Sequence, residues 1–252
     1  MGTDKDWEKW GATDAYFGVL SRAQFRTGVI SEQQRDEFFA TGIKHIANLL
    51  DQLRHRFAPD FTPRSALDFG CGVGRLTIPL ARIADRVTAV DISSSMIAEA
   101  RENCAQSGLH NVVFVESDDG LTRVQGSFDL IQSDIVLQHI AWRRGRNIIQ
   151  ALADRVAHNG YLAIQILTGC NASPFIRALV KLRYAFPPAN WLRNLMKSRS
   201  LLEPAMQLHI YDLATIQSDL AERGFVVKHT HTAIPEFRST WIYARRTTYK
   251  TV

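Results

Sequence analysis

Asp68-Phe69-Gly70-Cys71-Gly72-Val73-Gly74 sets three glycines at alternate positions directly behind an apolar run, Ser65 to Phe69. Without a Cβ, the backbone there can turn sharply and approach a ligand closely. The helix expected next, from about Arg75 to Ile83, presents free N–H groups at the same spot. A dinucleotide site spaces its glycines G-x-G-x-x-G and seats a pyrophosphate on the helix end. Here the order is Asp-x-Gly-x-Gly-x-Gly, and an acid at the start of the turn would repel a pyrophosphate but suit an ammonium. A second apolar run ends in Val90-Asp91-Ile92, with a carboxylate placed to accept both hydroxyls of a ribose. A third ends in Ser117-Asp118-Asp119, with an acceptor for an adenine amino group. Ribose, adenine and ammonium together describe S-adenosyl-L-methionine, and an uncharged turn leaves room for its sulfonium.

A sulfonium is already an activated methyl donor, so the remaining work is alignment of a nucleophile. An oxygen or nitrogen nucleophile also needs a proton acceptor. His139, in Leu137-Gln138-His139-Ile140 after a fourth apolar run, is the candidate base, with Asp134 a weaker competitor. His229 and His231 share a strand face and, with His209, are the one candidate metal set; no cysteine or carboxylate stands at a supporting spacing, so no metal is expected. Between Gly169 and Leu202 six cations (Arg177, Lys181, Arg183, Arg193, Lys197, Arg199) meet no Asp or Glu, within a chain of net charge +5. Interleaved with Phe175, Tyr184, Phe186 and Trp191, they fit a lid over a partly apolar, anionic substrate, or a helical pair on an acidic membrane surface. A solvated basic face remains the plain alternative. Arg143, Arg144 and Arg146 read as helix surface.

From Arg64 to Leu167 short apolar runs alternate with helical ones, the pattern of βαβ units and a parallel sheet. Strands are expected at Ser65–Phe69, Val87–Asp91, Val112–Glu116, Phe128–Gln132 and Tyr161–Leu167. Helices are expected from Ser93 to about Gly108 and from about Arg144 to Ala157, the latter closed by a cap and turn at His158-Asn159-Gly160. Residues 1–60 read as a helical extension bearing Trp7, Trp10, Tyr16 and Phe17, and 61–252 as the main domain. Within it, 169–208 is an inserted helical cap broken at Pro187-Pro188. A helix from Asp212 to about Arg223 then leads to an antiparallel hairpin, Phe225–Thr232 and Thr240–Arg246, joined through Pro235. Glu236 to Trp241 at the hairpin turn are candidates for the acceptor pocket. Of the 252 residues 46% are hydrophobic and 22% charged, which fits a folded globule and excludes a disordered chain. Three scattered cysteines, no apolar run long enough to span a bilayer and no signal-like N-terminus point to a soluble, cytoplasmic protein.

These motifs resemble the class I S-adenosylmethionine-dependent methyltransferases. Leu67 to Gly74 is similar to motif I of that family, Val90 to Ser93 to its ribose-binding motif and Phe114 to Asp119 to its adenine-binding one. Phe128 to Ser133 resembles the motif IV strand, and Asn159 to Leu162 the turn before the fifth strand. The resemblance implies an α/β fold: a seven-stranded, mostly parallel Rossmann-like sheet with an antiparallel last strand and helices on both faces. It implies S-adenosyl-L-methionine as cofactor. Gly70, Gly72 and Gly74 would form its turn, and Asp68 would meet its ammonium. Asp91 would meet its ribose and Asp118 its adenine; Ile92 and Met96 would pack on the ring, with Ser133 near the methionine end. Asp119 is read as a turn cap. Gln132-Ser133-Asp134-Ile135 lacks the Asn/Asp-Pro-Pro-Tyr of enzymes that methylate base nitrogens, so nucleic acid is disfavoured. The expected activity is methyl transfer to a small acceptor, at oxygen and on a saccharide or other anionic metabolite. Nitrogen or carboxyl transfer to a metabolite, and a cofactor-binding protein without turnover, stay open beside it; a nicotinamide-dependent oxidoreductase is the poorest alternative.

Overall fold

The computed structural model describes residues 2–26, 30–197, 199–234 and 236–247. Three helices come first: α1 (Gly2–Thr13), α2 (Ala15–Val19) and α3 (Glu32–Arg56). Ser31 caps α3 in a reciprocal capping box with Gln34, which fixes where this 25-residue helix starts. The alternating region then runs β1 (Ser65–Phe69), α4 (Thr77–Ala81), β2 (Arg86–Asp91), α5 (Ser94–Gln106), β3 (Val112–Glu116), β4 (Phe128–Ser133), α6 (Trp142–Asp154) and β5 (Val156–Cys170). After β5 come α7 (Pro174–Ala185), α8 (Pro187–Met196), α9 (Leu213–Glu222), β6 (Phe225–Ile234) and β7 (Phe237–Arg246).

The seven strands form one sheet in the order β3-β2-β1-β4-β5-β7-β6. β1 to β5 pair in parallel, and β7 runs antiparallel to both β5 and β6. This is the doubly wound, Rossmann-like architecture expected from the sequence. β1 is buried along its whole length because helices cover both faces. On one face Ile148, Ile149 and Leu152 of α6 and Ile216 and Leu220 of α9 pack against the strands. On the other, Ile46, Leu49, Leu50 and Leu53 of α3 join Leu80 of α4. The chain steps outward from β1 to β2 and β3, then crosses back to β4. The carboxyl ends of β1 and β4 therefore flank the crevice where such sheets bind ligands.

Several boundaries differ from expectation. α4 starts at Thr77 because Gly74 to Leu76 belong to the turn, and Arg75 is drawn down to an acid on the next strand loop. α6 begins earlier, at Trp142, and ends at Asp154. His158-Asn159-Gly160 is no cap: it lies inside β5, where Asn159 takes φ +59° and the β4–β5 register shifts between Phe128 and Leu130. A left-handed residue that can end a helix serves equally well in a strand irregularity, so these three residues alone do not discriminate. The break at Pro187 stands, with α8 restarting on that proline as its first residue. Both hairpin strands extend further than expected, and Pro235 lies outside the described residues.

Candidate active site

The turn after β1, the ends of β2, β3 and β4, and the first two helices enclose a cleft of about 810 Å³, its open mouth included. Its floor begins with the glycine turn. The N–H groups of Gly70 and Cys71 both donate to the carbonyl of Val90, at 2.7 and 2.9 Å, which folds the turn over the end of β2. Gly70 and Gly72 have φ of +76° and +52°. A Cβ at Gly70 would come 2.3 Å from Val136 Cγ2, and one at Gly72 equally close to Val19 Cγ2. The glycines are thus required both by the backbone and by what stands over it.

Asp91 lines the cleft at the end of β2. Its Oδ2 accepts from Gly72 N–H at 2.8 Å and its Oδ1 from Ser93 N–H at 3.0 Å. Each oxygen keeps a further lone pair for a ligand hydroxyl. Burial raises its pKa, and the backbone donors of Ser93 and Gly72 pull the other way. Ile92 and Met96 line the same wall. After β3 the turn cap read at Asp119 falls instead to Asp118. Asp118 is occupied as a turn cap, accepting from Thr122 N–H at 2.9 Å and from the Thr122 hydroxyl. Asp119 lines the cleft with Ser117. Arg144, read as plain helix surface, also lines it, and its Nε meets both Asp119 oxygens at 2.7 Å while Nη1 pairs with Asp4 of α1.

The remaining expected residues stand behind the wall. Asp68 is buried beneath the turn, where Thr77 Oγ1 donates to it at 2.6 Å and the Gln132 amide donates to its other oxygen. Burial pushes its pKa to about 6 against the lowering by those donors and by Arg75. Gly74 packs on Ala100 of α5, which lets that helix approach the turn. Ser133 is buried, its Oγ without a hydrogen-bond partner. His139 is buried as well, its ring centroid 4.9 Å from that of Trp7, and Trp7 takes the place on the cleft wall. The His139 Nδ1 lies 2.7 Å from the Gln207 carbonyl, which makes Nδ1–H the donor and leaves Nε2 unprotonated beside the Gln138 amide. Burial lowers its pKa to about 4, so the ring is neutral at physiological pH.

The N-terminal helices supply the roof. Thr3, Asp4 and Trp7 of α1 and Gly18 and Val19 of α2 face the cleft. Trp10 and Phe17 turn away into a separate cluster with Phe25, Phe38, Val73 and Met96, and Tyr16 donates to Glu99 at 2.7 Å. What seats α1 is Glu8, whose carboxylate accepts from the hydroxyls of Ser93 and Ser95 at 2.8 and 2.5 Å, at the N-terminus of α5. Sequence reading missed Glu8, Asp4, Val19 and Arg144 as site-forming residues. On the strand side, Ile135 takes φ +61° and lines the cleft beside Val136 and Asp134. A β-branched residue in that region is strained, and such strain gathers at functional sites. Asp134 is held by Arg75 at 2.7 Å, with both side chains nearly buried, and by His45 Nδ1 at 3.5 Å. Trp241, expected near an acceptor pocket, packs on His45 with ring centroids 5.3 Å apart.

The three histidines named as a metal candidate do not converge. His229 and His231 are 4.9 Å apart, engaged with Gln217 and Thr240, while His209 sits by Gln138, to whose carbonyl its N–H donates. Among the described residues no group of three His, Cys, Asp or Glu side chains is gathered for a metal. Nor is any helix among them long and apolar enough to cross a membrane.

Residues 66–160 match the family model of the methyltransferase domain. The ribosomal protein L11 methyltransferase of Geotalea uraniireducens is 34% identical over 108 residues, 42% of this chain and 32% of that protein. The ubiquinone biosynthesis O-methyltransferase of Methylocella silvestris is 29% identical over 139 residues, 54% of this chain and 51% of that one. The chain thus spans from about a third to a half of these curated relatives. Among solved structures, the magnesium protoporphyrin IX methyltransferase of Synechocystis, crystallised with bound SAH, superposes with a TM-score of 0.63 at 18% identity. That superposition covers 97% of this chain and all of the other.

Proposed function

We propose that this chain, built around a class I S-adenosylmethionine-dependent methyltransferase domain, moves the methyl group of S-adenosyl-L-methionine onto a small-molecule acceptor. The observation that carries this reading is Asp91, which lines the cleft while two backbone N–H groups hold its two oxygens still. A vicinal diol needs such a pair of fixed acceptors. The turn beside it offers backbone rather than side chains at Gly70 and Gly72, and the orphaned Ser133 hydroxyl lies just behind the motif IV wall. These residues fit the cofactor. When bound, it supplies an activated methyl group on a sulfonium.

The protein's part is to bind, orient and keep water out. Asp91 would take the ribose, Ile92 and Met96 the faces of the adenine. Asp119, on the cleft wall, is better placed than Asp118 for the adenine amino group. Trp7, Val19, Ile135 and Val136 close an apolar roof around the transfer point, where lowered water content favours a charge-dispersing transfer. We favour an oxygen acceptor on an anionic or saccharide-like metabolite. The cationic segment 169–202 and the missing Pro-Pro-aromatic signature after β4 support that choice. For such an acceptor His139 is the proposed base: it is neutral, with its lone pair at Nε2, and Trp7 must turn aside to admit the nucleophile to it.

Calorimetry with S-adenosylhomocysteine tests the reading. Asp91→Asn, which keeps the shape, should weaken binding on the order of 10- to 100-fold, because hydrogen bonds to a charged acceptor contribute about 1.5–3 kcal/mol. No heat of binding to the unaltered protein, or equal affinity in the variant, would sink it. Tight binding without S-adenosylhomocysteine release in any small-molecule extract would mark a cofactor-binding protein.

A further inference from the structure

Helix α8 is folded inside out, and α7 beside it leaves its apolar stripe uncovered. In α8, Asn190 and Asn194 point inward at 8% and 2% exposure, their amides donating to the carbonyls of Glu203 and Leu201. The opposite side of the same helix shows Leu192, Leu195 and Met196 to solvent, at 60%, 67% and 77% exposure. α7 buries none of its described side chains and shows Phe175, Leu179 and Leu182, which share one stripe at helical spacing and are each at least half exposed. Leu201 and Leu202 extend the surface just beyond α8. An ordinary surface helix buries its leucines and shows its asparagines; contiguous exposed apolar surface of this kind marks an interaction site.

Charge says what covers it. Arg177 and Lys181 are exposed on α7 and Lys197 just beyond α8, and none of them has an acid beside it in sequence. Arg183 and Arg199 are close enough to Arg193 to help depress its pKa, after the larger effect of burial. Glu203, at the base of the pair, is occupied by Arg26 and Arg199 and faces inward. On α7 Arg177 and Lys181 stand on the side away from the Phe175, Leu179 and Leu182 stripe, the division of a helix that lies in a membrane surface. An anionic lipid surface offers hydrocarbon to the apolar stripe and attracts the cations beside it. We propose that α7–α8 docks this chain on an anionic phospholipid bilayer as a peripheral membrane anchor. The anchor stands whatever the domain methylates.

Flotation of the intact protein with vesicles tests it. Binding is expected to vesicles of phosphatidylcholine mixed with phosphatidylglycerol, to be weak on phosphatidylcholine alone, and to fall with added salt. Lys181→Gln and Lys197→Gln should each weaken partition about fivefold. Leu192→Asp with Met196→Asp, both at exposed positions, should abolish it and leave the thermal midpoint in place. Failure to float with the anionic vesicles overturns the proposal. So does indifference of binding to both sets of substitutions, or a concentration-dependent dimer that the aspartates dissolve.

Discussion

Replacing Glu8 with Gln should loosen the roof of the cleft without touching its floor. The Glu8 carboxylate accepts from two serine hydroxyls and, at 3.3 Å, from the Ser95 N–H, all at the first turn of α5. Hydrogen bonds to a charged acceptor contribute about 1.5–3 kcal/mol when buried, and a carboxylate at a helix N-terminus adds about 0.3–1 kcal/mol. Glu8 is only half-buried, so solvent screening brings the total down to about 1–2 kcal/mol. Among the polar ties of α1 the partly exposed pair of Asp4 with Arg144 is weaker, about 0–1 kcal/mol, while the buried Trp10 is untouched by either substitution. Glu8→Gln should therefore raise the open population of α1 about 5- to 30-fold, and Arg144→Gln by less. Hydrogen exchange of the α1 amides, followed by mass spectrometry, reads this directly, with α5 as the internal reference. The hydrogen bond from Ser95 is the main cause that holds the Glu8 pKa below its ordinary 4.5. The latch is thus fully present above 4.5 and is lost as pH falls through the lowered value, so variant and parent should converge in acid. Unchanged α1 exchange in Glu8→Gln at neutral pH, or a larger effect from Arg144→Gln, would refute the reasoning.

Asp68 has the opposite sign. Its pKa is raised to about 6 from an ordinary 3.8, so its contribution to stability is full below 3.8 and is lost as pH rises through 6. The unfolding free energy of the parent relative to Asp68→Asn, from urea titrations, should fall by up to about 3 kcal/mol across that window, and a flat difference would show that Asp68 does not titrate there. Gly72→Ala should destabilise by about 1–2 kcal/mol from its left-handed backbone, and further from the Val19 methyl group that stands 2.3 Å from the new Cβ. Val19→Ala should recover the second part alone, as a coupling of at least about 0.5 kcal/mol in a double-mutant cycle; additive effects would mean that Val19 does not press on the turn.

Features encoded within one short window were legible. Each of the five parallel strands was placed from its own apolar run; β1 and β4 are buried on both faces and have no alternating pattern to misread. The sequence opens a helix at Ser93, with Ser93 and Ser94 both able to cap it, and Ser93 is the cap, its Oγ accepting from Met96 N–H at 3.1 Å. Asp91 was legible because it ends a strand at the crevice by topology alone. Adjacent alternatives were not. Asp118 and Asp119 both follow β3, and which one caps the turn depends on the Thr122 hydroxyl and on an arginine from α6. Arg144 looked like one of three equivalent surface cations until Asp4 and Asp119 came to meet it from both sides.

Which of the N-terminal aromatics form the roof was not legible, for a deeper reason. Trp7 and Trp10 are three residues apart, nearly one turn, yet one lines the cleft against His139 and the other lies in the aromatic cluster with Phe17. Helical periodicity assigns both to about the same side, so the split arises from what α1 lands on. That landing is decided at Ser93, which does two things with one hydroxyl: its oxygen accepts from Met96 N–H and its hydrogen is donated to Glu8. Aspartate ranks with serine as a helix cap and would serve α5 as well. It has no hydrogen to give at neutral pH, and its charge would repel Glu8 and lift α1 from the cleft. The requirement for serine at this position therefore belongs to a helix more than eighty residues away in the chain.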